Sequence, residues 1–174
     1  EDVPELLRHH VDLLVDGEGL AFRRFSVAAQ NRLRNYPWPG NVRELRNLVK
    51  RLLFLGGAEE ISLAEVEAQI RACVVELVTT RGLAKPGAHE AVTHARAQGL
   101  SLAIASSSSM EIIQAVVRRL GLEDAFDQLV SAEHEVNGKP DPAVYLSAAR
   151  ALGTAPAACI AIEDSTNGLK AAQI

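Results

Sequence analysis

A run of serines, one lysine and a pair of adjacent acids are the residues of this sequence whose types could do chemistry together. Serines 106–109 end the stretch LSLAIASSSS at 100–109, Lys139 lies in GKPDP at 138–142, and Glu163 with Asp164 follows CIAI at 159–162. A serine hydroxyl at a helix N-terminus holds phosphate oxygens, and an ammonium offsets their charge. Two adjacent carboxylates hold a hard divalent cation, Mg²⁺. Together these groups supply what phosphoryl transfer requires. Each has a plainer reading alone: a serine-rich helix cap, an ordinary lysine before proline, an Asp-Ser cap. Their order along the chain favours the chemistry, with Ser106 as the candidate phosphate ligand.

The elements around these residues are those of a parallel α/β sheet. The apolar run after Gly99 reads as a buried strand that empties into the serines. Ile112, Ile113, Val116, Val117 and Leu120 then repeat at helical spacing, and Gly121 ends that helix. A second strand is predicted at 125–131 and a third at 159–162, tipped with Glu163 and Asp164. Between them Asp141 caps a helix with Pro142 in its first turn, carrying Val144, Tyr145, Ala148, Ala149 and Leu152. Pro86 and Gly87 open the helix that precedes the first strand. Helices alternating with short apolar strands predict a three-layer, Rossmann-like core over 82–174, with ligands at the carboxyl ends of three parallel strands.

The first part of the chain is helical. Leu6, Leu7, His10, Val11 and Leu14 mark an amphipathic helix over 4–15, with His9 and His10 at its surface or boundary. Asp16 to Gly19 form a turn, and Ser26 caps a helix running towards Asn35. Two prolines keep 36–40 out of any helix. Asn41 with Glu44 is a capping-box pattern opening a helix over 42–55. Arg43, Arg46, Lys50 and Arg51 lie away from its apolar stripe, as a solvated face or as an anion-facing one led by Arg43. Ser62 with Glu65 is a second capping box, and Leu63, Val66, Ile70, Cys73, Val74 and Leu77 predict one helix over 63–78. No Gly/Ser/Pro-rich linker interrupts it, so the two parts are joined through a helix.

Composition limits the partners. The 174 residues carry 18 Lys and Arg against 22 Asp and Glu, a net charge of -4, which argues against direct DNA binding. No apolar run reaches a membrane span. Cys73 and Cys159 read as buried thiols of a reducing cytoplasm, so the expected location is cytoplasmic. The opening without Met and the end inside a helical pattern read as a fragment.

Two family resemblances follow. YPWPGNVRELRNLVKRL, with EDVPELLRHH before it and EEISLAEVE after it, resembles the C-terminal lid of the AAA+ ATPase domain of sigma-54-dependent transcriptional activators, over residues 1–70. The resemblance implies Arg43 as a nucleotide sensor, with ATP held only where the rest of an AAA+ domain is supplied. The sequence carries no Gly-rich phosphate loop of that kind.

KPGAHEAV, LAIASSSS, GKPDPAVYLSAARALG and CIAIEDSTNGLKAA, within 71–174, resemble the haloacid-dehalogenase-like hydrolases, nearest their β-phosphoglucomutase and sugar-phosphate phosphatase branch. That resemblance implies Ser106 as phosphate ligand, a backbone N–H from Ser107, Lys139 as the third-motif lysine, and Glu163 with Asp164 as acids near Mg²⁺. It also implies a strand ending in Asp-x-Asp, whose first Asp attacks phosphorus. Asp16 and Glu18 imitate that spacing but continue a helical pattern. The expectation is a truncated phosphohydrolase core that holds inorganic phosphate or a small phosphorylated metabolite without turning it over, and that self-associates through an open sheet edge.

Overall fold

The computed structural model describes residues 2–173, and the chain divides into two compact units, Glu1–Val74 and Val75–Ile174. In the first unit, helices α1 (Val3–Glu18), α2 (Val27–Arg34) and α3 (Asn41–Phe54) pack around two short strands, β1 (Arg24–Phe25) and β2 (Glu60–Ile61), paired in parallel. Leu7, Val11 and Leu14 of α1 meet Leu45, Leu48, Val49 and Leu52 of α3, with Phe25, Ile61, Val66 and Ile70 closing the core. Each such side chain contributes about 1.5–3 kcal/mol by leaving water. Trp38 lies at the edge of this core, its indole N–H donating to the Leu33 carbonyl at 2.8 Å.

Local signals set most helix ends. The Ser26 hydroxyl accepts from the Ala29 N–H at 3.1 Å, as its cap position predicts. Ser62 and Glu65 form the reciprocal box: the Ser62 N–H reaches the Glu65 carboxylate at 2.9 Å, and the Glu65 N–H reaches the Ser62 hydroxyl at 3.2 Å. The helix they open, α4 (Leu63–Arg81), runs without a break past Val78.

Several expectations need correcting here. Asn41 does not cap α3: it adopts a left-handed conformation, φ 51°, and Gly40 stands at the cap position. The Glu44 carboxylate instead turns back to the Gly40 N–H at 2.8 Å. Helix α1 continues through Asp16 to Glu18, and Gly19, at φ 67°, ends it. His10 is buried, not at the boundary, and neither of its ring nitrogens has a hydrogen-bond partner. The apolar stripe of α4 stays buried only as far as Ile70, since Leu77 is 53% exposed. Cys73 is half-buried and Cys159 exposed, so the thiols are not core groups.

The second unit holds α5 (Ala88–Ala97), β3 (Ala103–Ser106), α6 (Met110–Arg119), β4 (Gln128–Ser131), α7 (Ala143–Ala151) and α8 (Thr166–Ala172). Strands β3 and β4 pair in parallel with Ala103 opposite Gln128 and Ser106 opposite Ser131. Helix α7 packs on both strands and α6 on β4. This is an α/β architecture with parallel strands. β3 starts later than the apolar run because the Asp127 carboxylate accepts from the Leu102 N–H at 2.8 Å, while Arg96 donates to both Asp127 oxygens. The predicted third strand does not form: residues 159–162 pair with no strand, and Ile160 and Ile162 are 91% and 92% exposed. Apolar content supplies strand propensity, but a strand exists only as a pair. Among the described residues no helix is long and apolar enough to cross a membrane.

Candidate phosphate site

At the carboxyl end of β3 the chain turns from strand to helix over the four serines. The Ser106 hydroxyl accepts from the Ser108 N–H at 3.1 Å and keeps its own hydrogen for an incoming acceptor. Ser107 is exposed, and Ser109 occupies the cap position of α6, its carbonyl accepting from the Ile113 N–H at 3.1 Å while its side chain makes no cap hydrogen bond. The Ser109 hydroxyl oxygen is buried with no partner. A carboxylate takes over the capping: Glu133, just beyond β4, accepts from the Met110 N–H at 2.7 Å. Ser131, opposite Ser106 in the ladder, ties the two tips together by donating to the Ser108 carbonyl at 2.7 Å. The positive end of α6 thus already faces one anion of the chain's own. Sequence reasoning missed Glu133, because an acid that caps a helix from 23 residues away leaves no local spacing to read.

Lys139 and Glu163 form a second cluster. The Lys139 ammonium lies 2.5 Å from Glu163 Oε2, with both side chains nearly buried, 13% and 11% exposed. The Tyr145 hydroxyl donates to the same oxygen at 2.6 Å, and its ring centroid lies 4.7 Å from Lys139 Nζ. The other oxygen, Oε1, accepts from the Ser165 N–H at 2.9 Å, the Ser165 hydroxyl at 2.8 Å and the Asp164 N–H at 3.2 Å. Donation by Lys139, then Tyr145, then Ser165 holds the Glu163 carboxyl far below the usual carboxylate range. Burial pulls the Lys139 ammonium down, but donation to Glu163 and the nearby Tyr145 oxygen outweigh it, so its affinity for the proton ends above the ordinary value. Burial, then donation to Glu163, raises the Tyr145 phenol. Gly168 of α8 closes on Glu163 so tightly that a Cβ there would overlap its carboxyl group.

The site residues therefore fall into two groups, Ser106 and Ser107 at the β3 tip, and Lys139 with Glu163 beside α7. Asp164 is exposed and offers a free carboxylate. Mg²⁺ takes near-octahedral oxygen ligands, with one or two carboxylates beside phosphates and water. Both Glu163 oxygens are already saturated, and no cluster of three His, Cys, Asp or Glu among the described residues could hold a metal ion. The donor set as it stands does not fit the ion. Arg43 is exposed in the first turn of α3, and Asp16 lies exposed inside α1, on a helix and not at the end of a strand.

A parallel ladder ending in a strand–serine–helix turn agrees with what known proteins show. The pattern shared by haloacid dehalogenase-like hydrolases matches residues 14–173. The chain belongs to the haloacid dehalogenase-like hydrolase family. It is 39% identical over 112 residues to hexitol phosphatase B of Escherichia coli strain K12, a match covering 64% of this chain and 50% of that protein. This family member thus spans about half the length of that relative. It is also 41% identical over 104 residues to the DNA-binding transcriptional regulator NtrC of Azospirillum brasilense, covering 60% of this chain and 19% of NtrC. In fold it is similar to CbbY from Rhodobacter sphaeroides in complex with phosphate, with a TM-score of 0.61 and 23% identity over 98% of this chain and 76% of that one.

Proposed function

We propose that this hydrolase-family chain binds inorganic phosphate, or the phosphate of a small phosphorylated sugar, at the β3 tip, with Lys139 offsetting its charge. The observation that carries the reading is Ser106, a hydroxyl at the end of a parallel strand that leads straight into α6. The likeness to a hexitol phosphatase and to a phosphate-bound CbbY supports the ligand class. On this reading residues 71–174 are the hydrolase-like core and 1–70 a lid-like helical subdomain. Family members generally use Mg²⁺, but the donors here lead us to assign it no step. The family resemblance implies an attacking Asp at a strand tip, and Asp16 in α1 is not one, so p-nitrophenyl phosphate turnover is expected at background.

Calorimetric titration with inorganic phosphate tests the site. Weak binding is expected, lost in Ser106→Ala. Glu133→Gln removes a competing charge at the α6 N-terminus and should tighten phosphate about two- to fivefold, the effect of one charge at a helix end. Phosphate affinity that ignores both changes would place the anion elsewhere.

A second reading rests on the NtrC likeness and on exposed Arg43 in the first turn of α3. Here the helical unit is the lid of a nucleotide-dependent regulator, with Arg43 as its sensor. With no phosphate loop alongside it, ATP should bind no better than millimolar. A micromolar dissociation constant lost on Arg43→Ala would reverse that expectation.

A further inference from the structure

Lys139, Tyr145, the Asp164 N–H, and both the N–H and hydroxyl of Ser165 all donate to the Glu163 carboxylate. A carboxylate offers about four lone-pair sites, so these donors saturate it. A divalent cation reaching Glu163 would have to displace Tyr145 or share an oxygen with the Lys139 ammonium 2.5 Å away. Two cations on one oxygen repel each other, and the near-burial of both side chains leaves little water to screen them. Nor can the carboxylate swing aside, because Gly168 lies against it.

We propose that Glu163 is not a cation ligand in this protein but the internal anchor that places Lys139, and that Tyr145 is the positioning residue of this anchor. Tyr145 holds both members of the pair at once. Its hydroxyl fixes Glu163 Oε2 and its ring faces the Lys139 ammonium. The phenylalanine variant would keep the ring and lose the donation. The inference rests on the phosphate-site reading for the purpose of Lys139, but its test uses no phosphate.

The experiment is a calorimetric Mg²⁺ titration of the whole chain and of two variants, without phosphate. A parent that takes up no Mg²⁺ supports the proposal, since a carboxylate saturated by the chain's own donors is not open to the ion. Glu163→Gln should leave the dissociation constant within about twofold, as for a group outside the coordination shell. Should Glu163→Gln fail to fold, Tyr145→Phe serves the same end. Under the proposal Mg²⁺ affinity is unchanged, because no metal uses the Glu163 oxygen that Tyr145 releases. Were Glu163 a ligand held by Tyr145, losing that partner would weaken the metal about 10–100-fold. Weakening beyond about twofold in either variant therefore overturns the proposal. A second readout follows the Lys139 ammonium by ¹H–¹⁵N NMR in Mg²⁺-free buffer. A protected signal is expected in the parent and its loss in Tyr145→Phe; an unchanged signal removes Tyr145 from its positioning role. Since phosphate is absent throughout, a failed Ser106 experiment and a failed anchor experiment are told apart.

Discussion

Replacing Arg23 with methionine should destabilise the first unit by about 3 kcal/mol, more than any surface charge of the molecule could. The Arg23 side chain is 2% exposed and donates to the Leu52, Ala58 and Glu60 carbonyls at 3.0, 2.6 and 3.4 Å and to Glu65 at 2.7 Å. It thereby joins the last turn of α3, the approach to β2 and the first turn of α4. Methionine keeps much of the apolar stem, so cavity formation is a minor part of the change. The Leu52 acceptor is the buried one, and stranding it costs about 1–3 kcal/mol. The Ala58 and Glu60 carbonyls are only partly buried and can turn to water, at a smaller cost each. Glu65 is 37% exposed and keeps both Ser62 donors, so its lost ion pair adds about 1 kcal/mol at most. Arg23→Lys should rescue little, because one ammonium cannot span the positions a guanidinium fork reaches. Urea unfolding followed by the fluorescence of Trp38, the single tryptophan of the chain, reports this unit directly. A loss below about 1 kcal/mol at unchanged urea slope would refute the view that Arg23 organises the unit.

Two further predictions concern pH and association. Burial first, then the charges of His9 and Arg46, keep the His10 imidazole below its ordinary value of 6.5. The unfolded chain therefore binds a proton the folded chain refuses, and the first unit should lose stability as pH falls through 6.5 until the depressed folded value is reached. His10→Leu should flatten that dependence in urea unfolding on either side of neutrality, and an unchanged slope would remove His10 as its source. Residues 159–162 leave Ile160 and Ile162 almost wholly exposed in an unpaired segment, so we propose self-association there. Light scattering should show concentration-dependent mass that Ile162→Lys reduces; a monomer at every concentration would count against it.

Legibility followed the range of the interaction. The Ser26 cap and the Ser62–Glu65 box join residues three apart, so the sequence pattern and the bond are the same fact. The helical spacing of α1, α3 and α6, and the strand–serine–helix turn at Ser106, were readable for the same reason. Arg23 was not, since its partners lie 29 to 42 residues away and nothing around position 23 signals burial. Tyr145 read as one more core residue of α7, and only the fold reveals that its hydroxyl reaches an acid 18 residues on. Residues 159–162 failed in the opposite sense. Their apolar composition is that of a strand, and pairing, which composition cannot report, is what they lack. Glu163 and Lys139 were singled out by residue type and do meet, but their mutual saturation is a property of geometry.

The closeness of Gly168 to Glu163 has a hereditary side. At position 168 the glycine is a vacancy that the acid five residues earlier fills, so the two sites form one inherited unit. A methyl group at 168 would evict the carboxyl, and a shorter acid at 163 would restore the room while giving up reach towards Lys139. Descendants of this chain should therefore change the two positions together, with alanine at 168 tolerated beside aspartate at 163 and purged beside glutamate. A paired library at 163 and 168, selected for folded chain, would display that grammar as a correlation between two columns.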